Sequence, residues 1–106
     1  MIEKIYKNAK SIKMISTSDR LKIYDFFLQN QETLYPQIRK DCLGYYGESI
    51  LNSWLYDNNG CSDGEFPADI LASMLKHIAE LENWEPALLT KVTTEADKLI
   101  WGVPEK

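Results

Sequence analysis

Residues 67–81 read PADILASMLKHIAEL, and this stretch decides the fold class. Its apolar side chains recur at steps of one, three and four, which places them on one face of an α-helix; they are Ile70, Leu71, Met74, Leu75, Ile78 and Leu81. Pro67 favours a helix start, and Asp69 suits the positive end of the helix dipole. Asn83 is the expected stop. The sequence therefore predicts an amphipathic helix over 67–82, whose apolar face must be buried by other elements.

The neighbouring segments show the same helical spacing. Residues 2–15 place isoleucines and an alanine on one face, with four lysines sweeping round the other. Two helices are expected over 19–30 and 34–46, because Pro36 disfavours one continuous helix; a single kinked helix is the alternative. A last helix is expected over 86–101, although its run of β-branched residues leaves open whether it is continuous.

The stretch 57–66, DNNGCSDGEF, consists almost entirely of turn formers and is the clearest loop. It fails as a calcium-binding EF-hand loop. Counting from Asp57 puts Ser62 at the required glycine, and counting from Asn59 puts Ile70 at the required glutamate. Ser49 can cap a short helix before this loop.

No segment alternates between apolar and polar residues for long enough to predict a strand. With 106 residues, 44% of them hydrophobic, the chain has the size and composition of one domain with one core. We therefore expect an all-α fold: a compact bundle of five or six short helices in a single domain over 1–106. The loop 57–66 would separate its two halves.

Charge is distributed unevenly along the chain. Residues 1–22 carry a net +4, and residues 23–106 carry a net −8. Such a division gives one molecule two faces that prefer different partners. The overall net charge of −4 argues against a general nucleic-acid binder, since neutralising phosphates requires a basic surface. No stretch is long and apolar enough to span a membrane. A cytoplasmic location is expected because no secretory signal is recognisable and the two cysteines fit free thiols in a reducing compartment.

Residues with catalytic or metal-binding chemistry are few. His77 is the only histidine, which excludes metal motifs that need a histidine pair, and its place beside the apolar stripe predicts a surface or boundary position. Cys42 and Cys61 lack a C-x-x-C spacing and are expected to be free thiols. No phosphate-binding glycine loop is present. We expect no cofactor, no metal and no catalytic residues.

The leading hypothesis is a small acidic binding protein that inhibits or regulates a protein partner with a basic surface, as toxin-immunity proteins and phage or mobile-element proteins do. Aromatic anchors within an acidic rim suit such docking. The candidate partner-binding residues are Tyr46, Tyr56, Asp57, Asp63, Glu65, Phe66 and Trp84.

The alternative hypothesis is a module that contacts nucleic acid or a membrane surface through the basic segment at the N-terminus. Its residues would be Lys4, Lys7, Lys10 and Lys13. An enzyme of unknown type is a third hypothesis. A homodimer is left open.

Overall fold

The computed structural model describes residues 2–42 and 67–102, and within these ranges it contains helices and no strand. The elements are α1 (Ile2–Asn8), a 3-10 helix (Ile12–Met14), α2 (Thr17–Gln29), α3 (helical over 31–42), α4 (Ala68–Leu81) and α5 (Pro86–Trp101). The predicted all-α bundle is confirmed. The predicted helix capped by Ser49 and the predicted loop 57–66 lie outside the described residues, and a single domain over 1–106 stays a prediction.

The predicted amphipathic helix is α4, and it lies at the centre of the described core. Nine of its fourteen residues are buried. It packs most extensively against α5 and also touches α1, α2 and the 3-10 helix. Because a four-residue turn joins α4 to α5, the two form an antiparallel helical hairpin. Asn83 makes the stop expected of it, with a φ of 58° in the left-handed region that asparagine tolerates.

The N-terminal segment is not the single helix predicted over 2–15. Helix α1 ends at Asn8, and the chain bends before the 3-10 helix. The backbone N–H of Ile12 donates to the Glu95 carboxylate at 2.7 Å, so it does not make the bond to residue 8 that a continuous α-helix requires. The bend buries both Ile12 and Ile15.

The two helices expected on either side of residues 31–33 are present, but their boundaries differ from the prediction. Only Asn30 separates α2 from α3, and Asn30 Nδ2 donates to the carbonyl of Phe26 at the end of α2. The backbone N–H of Leu34 donates to the carbonyl of Asn30, so α3 begins earlier than the predicted residue 34. Pro36 is consequently the sixth residue of α3. The carbonyl of Glu32, which loses its helical donor there, belongs to an exposed residue that water can reach.

The last helix is continuous. Helix α5 runs from Pro86 to Trp101 and ends at Gly102, whose φ of 60° is the left-handed helix stop that glycine permits. The packing of the leucine, valine and alanine face of α5 against α4 outweighs the weak helical preference of its β-branched run.

Candidate functional site

Three polar side chains meet inside the bundle, and we call Asp41, Ser73 and His77 the polar cluster. Ser73 and His77 lie one turn apart on α4, and Asp41 lies near the end of the described part of α3. Ser73 Oγ donates to Asp41 Oδ2 at 2.8 Å, and His77 Nε2 lies 2.7 Å from the same oxygen. All three residues are at least nine-tenths buried. The cluster therefore ties α3 to α4 across the core.

The directions of the hydrogen bonds in the polar cluster follow from Asp41, which is their shared acceptor. An ionised carboxylate only accepts hydrogen bonds, so both Ser73 Oγ–H and His77 Nε2–H donate to Asp41. Burial alone raises the pKa of Asp41, but the hydrogen bonds from His77 and Ser73 outweigh burial and hold that pKa below its usual value. His77 Nδ1 is buried without a hydrogen-bond partner and faces Glu80 Oε1 at 3.7 Å.

The cluster resembles a Ser-His-Asp triad in composition but not in arrangement. In a triad the histidine lies between the nucleophile and the acid. Here the aspartate lies between the serine and the histidine, so no imidazole nitrogen takes the proton from Ser73. Ser73 is also fully buried, which denies its hydroxyl a substrate. This geometry describes a structural polar network that stabilises the helix packing.

Cys42 adjoins the polar cluster and is a free thiol with 1% of its surface exposed. Burial, together with the nearby carboxylates of Asp69 and Asp41, raises the pKa of this thiol to about 12. Because the thiolate is the nucleophilic form, both the burial and the raised pKa disfavour reaction of Cys42 in the folded protein. The other cysteine, Cys61, lies outside the described residues.

A second polar site attaches the N-terminal segment to α5. Glu95 accepts from the Tyr6 hydroxyl at 2.8 Å with one oxygen and from the backbone N–H of Ile12 with the other. Burial and this carboxylate both raise the pKa of Tyr6. The Tyr6 ring also stacks on Trp84 at a centroid distance of 5.8 Å. These contacts are again structural, since each polar atom involved is used inside the molecule.

Two residues singled out from the sequence are placed differently by the structure. His77 is 9% exposed, so its predicted surface or boundary position is wrong, because Asp41 holds it in the core. Trp84 is 3% exposed, so its predicted surface position is also wrong. Its ring stacks on Tyr6 while its indole N–H donates to Glu82 at 2.8 Å. The remaining candidate anchors lie outside the described residues; they are Tyr46, Tyr56, Asp57, Asp63, Glu65 and Phe66.

An acidic surface lies instead at the junction of α4 and α5, which we call the 80–85 turn. It contains Glu80, Glu82 and Glu85 around Leu81, whose side chain is 43% exposed. The sequence pattern assigned Leu81 to the core. That assignment is wrong because Leu81 lies in the last turn of α4, where the chain leaves the helix. Helical periodicity identifies the apolar face of a helix but not the point at which neighbouring elements no longer cover that face. The sequence therefore did not predict that the 80–85 turn is exposed.

The basic surface comprises Lys4, Lys7, Lys10 and Lys13, and all four are exposed. Two lie on α1, one in the bend and one in the 3-10 helix. Among residues 2–42 and 67–102, none of these ammonium groups pairs with a carboxylate. Beside them is an open groove of about 540 Å³ between α1 and α2, lined by Ile2, Lys4, Ile5, Asn8, Asp19 and Lys22.

The described residues contain no group of three or more side chains that could hold a metal ion. In the same ranges, no helix combines the length and apolar character that crossing a bilayer demands.

Comparison with protein-family models, with curated proteins and with solved structures gives no match for this chain.

Proposed function

We propose that this chain is a small binding protein that inhibits or regulates a protein partner, and that the 80–85 turn contacts a basic surface on that partner. The observation that carries the proposal is the exposed Leu81 in a turn whose sequence also contains three glutamates, of which Glu80 and Glu85 are exposed. An apolar anchor inside a charged rim is the arrangement by which interfaces combine affinity with electrostatic steering. The cytoplasmic location and the toxin-immunity or anti-host role expected from the sequence belong to this proposal.

The electrostatics of α4 give the proposal independent support. The C-terminus of a helix is its negative end, where anions are disfavoured and cations are stabilising. The last turn of α4 contains Glu80 and no basic residue, and Glu82 follows as the C-cap. Within the described ranges, Glu82 accepts a hydrogen bond from the Trp84 indole, whereas Glu80 accepts none and lies 3.7 Å from His77 Nδ1. A charge that costs local stability and remains exposed is better explained by recognition than by folding.

Three other described acidic residues are engaged in contacts within the molecule. Asp41 is buried in the polar cluster, Glu95 holds Tyr6 and Ile12, and Asp97 pairs with Lys76 at 3.1 Å. These carboxylates are occupied inside the molecule. The 80–85 turn concentrates exposed negative charge around an exposed apolar side chain.

The test is affinity capture from the native host with two matched triple variants. Glu80→Gln/Leu81→Ala/Glu85→Gln removes two carboxylates and the exposed leucine of the turn. The control Asp25→Asn/Met14→Ala/Glu32→Gln removes two exposed carboxylates and an exposed apolar side chain from elsewhere. We expect a basic protein to be captured by the wild type and the control and lost by the turn variant. Purified, that protein should bind more weakly as salt rises, because salt screens surface charges. Equal capture by both variants contradicts the proposal.

A second candidate function is the contact of the basic surface with an anionic polymer or membrane. The observation favouring it is that all four lysines are exposed and without carboxylate partners in the described chain. Replacing these four lysines with alanine should abolish binding to heparin, to duplex DNA or to vesicles containing anionic lipid. Binding that persists in the quadruple variant eliminates this function and leaves the first proposal untouched.

A further inference from the structure

We infer that the chain self-associates, with the 80–85 turn of one copy inserted into the groove between α1 and α2 of another. The two surfaces complement each other in chemistry. The groove has an apolar floor of Ile2 and Ile5, and its rim carries Lys4 and Lys22. The turn offers Leu81 as an apolar anchor, with carboxylates on either side of it. This inference deepens the proposed function and rests on it, since the same turn makes the contact.

The charges at the two surfaces favour this contact. Glu80, Glu82 and Glu85 give the turn a net −3, whereas the lining of the groove carries a net +1 from Lys4, Lys22 and Asp19. Lys22 approaches Asp19 at 3.6 Å in an exposed pair whose side chains are 66% and 38% exposed. Such exposed pairs contribute little, so Lys22 can turn to an incoming carboxylate at small cost.

The sizes of the groove and the turn indicate how strong the self-association should be. A volume of about 540 Å³ accommodates a leucine together with parts of its neighbours, within the usual size range of binding clefts. A single turn buries far less than the roughly 1,200 Å² of a standard stable interface. We therefore expect a weak association whose dissociation constant rises with salt. Because the turn and the groove are different patches, the contact is heterologous rather than self-complementary.

Charge reversal tests the contact directly. The groove variant is Lys4→Glu/Lys22→Glu, and the turn variant is Glu80→Lys/Glu85→Lys. Each alone should weaken self-association by about tenfold or more, because like charges then face each other. Mixing the two restores complementary charges at both contacts, so the mixture should associate as well as the wild type. A chain carrying all four reversals should recover self-association by itself.

Sedimentation velocity at low salt measures the association, and backbone amide shifts recorded against protein concentration locate it. The inference predicts concentration-dependent shifts at both Ile5 and Leu81. A wild type that stays monomeric overturns it, as does an association that the reversals leave unchanged. The inference is also overturned if the groove binds an acidic peptide but not a second copy of the chain. Urea unfolding of each variant confirms that it folds.

These outcomes are distinguishable from failure of the proposed function. The groove variant keeps its 80–85 turn, so it should still capture the foreign partner while losing self-association. If it captures no partner and the wild type does, the groove takes part in partner binding and the proposed function of the turn alone fails, whereas self-association still stands or falls on the charge reversals.

Discussion

Replacing Asp41 with alanine should destabilise the protein by about 2–5 kcal/mol, because two buried hydrogen-bond donors lose their shared acceptor. The structure supplies the reason. The carboxylate accepts from Ser73 at 2.8 Å and from His77 at 2.7 Å, and all three side chains are buried. The substitution leaves two buried donors without an acceptor, each costing about 1–3 kcal/mol.

Comparing Asp41→Asn with Asp41→Ala separates the contribution of the carboxylate's charge from that of its shape. Asp41→Asn keeps an acceptor oxygen of the same size but loses the charge, and charge-assisted hydrogen bonds are roughly twice as strong as neutral ones. We therefore expect it to cost about 1–2 kcal/mol. The matched control Asp25→Ala removes an exposed carboxylate bonded to Gln29 on α2 and should stay within about 0.5 kcal/mol of the wild type.

Urea unfolding followed by circular dichroism measures these differences as shifts of the midpoint at constant slope. The pH dependence provides a second check. Because the folded pKa of Asp41 is depressed, its ionised form stabilises the protein above the unfolded value of about 3.9, and this contribution disappears as pH falls through the folded pKa. The wild type should thus lose its advantage over Asp41→Asn below about pH 4. An Asp41→Ala variant as stable as the Asp25→Ala control would refute this account of the polar cluster.

Three further predictions concern the remaining structural contacts. Glu95→Ala should cost about 2–4 kcal/mol because it strands the Tyr6 hydroxyl and the Ile12 N–H, and should increase amide hydrogen exchange in the N-terminal segment; unchanged exchange there contradicts the anchoring role. Cys42, with its pKa of about 12, should resist alkylation by iodoacetamide at pH 8 until urea unfolds the protein, as mass spectrometry of the labelled peptide would show; fast labelling in the native state contradicts its burial. Gly102→Ala should destabilise the protein by about 1 kcal/mol because of its positive φ, and a stabilising effect in urea unfolding would show that this helix stop does not form.

Local sequence signals predicted the central hairpin well. Pro86 and Gly102 mark the ends of α5, and Asn83 marks the stop of α4, because each acts through its own backbone geometry. The effect of such residues on the backbone is local and can therefore be predicted from the sequence. The fold class therefore follows from the sequence alone.

The predictions for the N-terminal segment and for His77 were wrong because they depend on contacts between residues far apart in the sequence. Helix α1 stops at Asn8 because Glu95, which lies 83 residues beyond Ile12, takes the N–H of Ile12. His77 is buried because Asp41, 36 residues earlier, accepts a hydrogen bond from its imidazole. Neither partner can be identified from local spacing, since helix periodicity says nothing about which distant side chain will meet a given face.

The candidate site shows the same limit. The sequence indicated an acidic surface with an apolar anchor, but it assigned Trp84 to the anchor and Leu81 to the core. The structure reverses the two because Tyr6 covers the indole while no described element covers the leucine. Charge could be predicted from composition, whereas exposure depends on where neighbouring elements end.

Site-specific photo-crosslinking in the native host tests the central claim most directly. A photoreactive residue at position 81 lies on the 80–85 turn, and one at position 90 lies on the exposed side of α5 as a control. The account predicts a discrete adduct with a basic foreign protein at position 81 and none at position 90. Equal adducts at both positions, or a foreign adduct confined to probes at positions 7 and 10 of the basic surface, would contradict it.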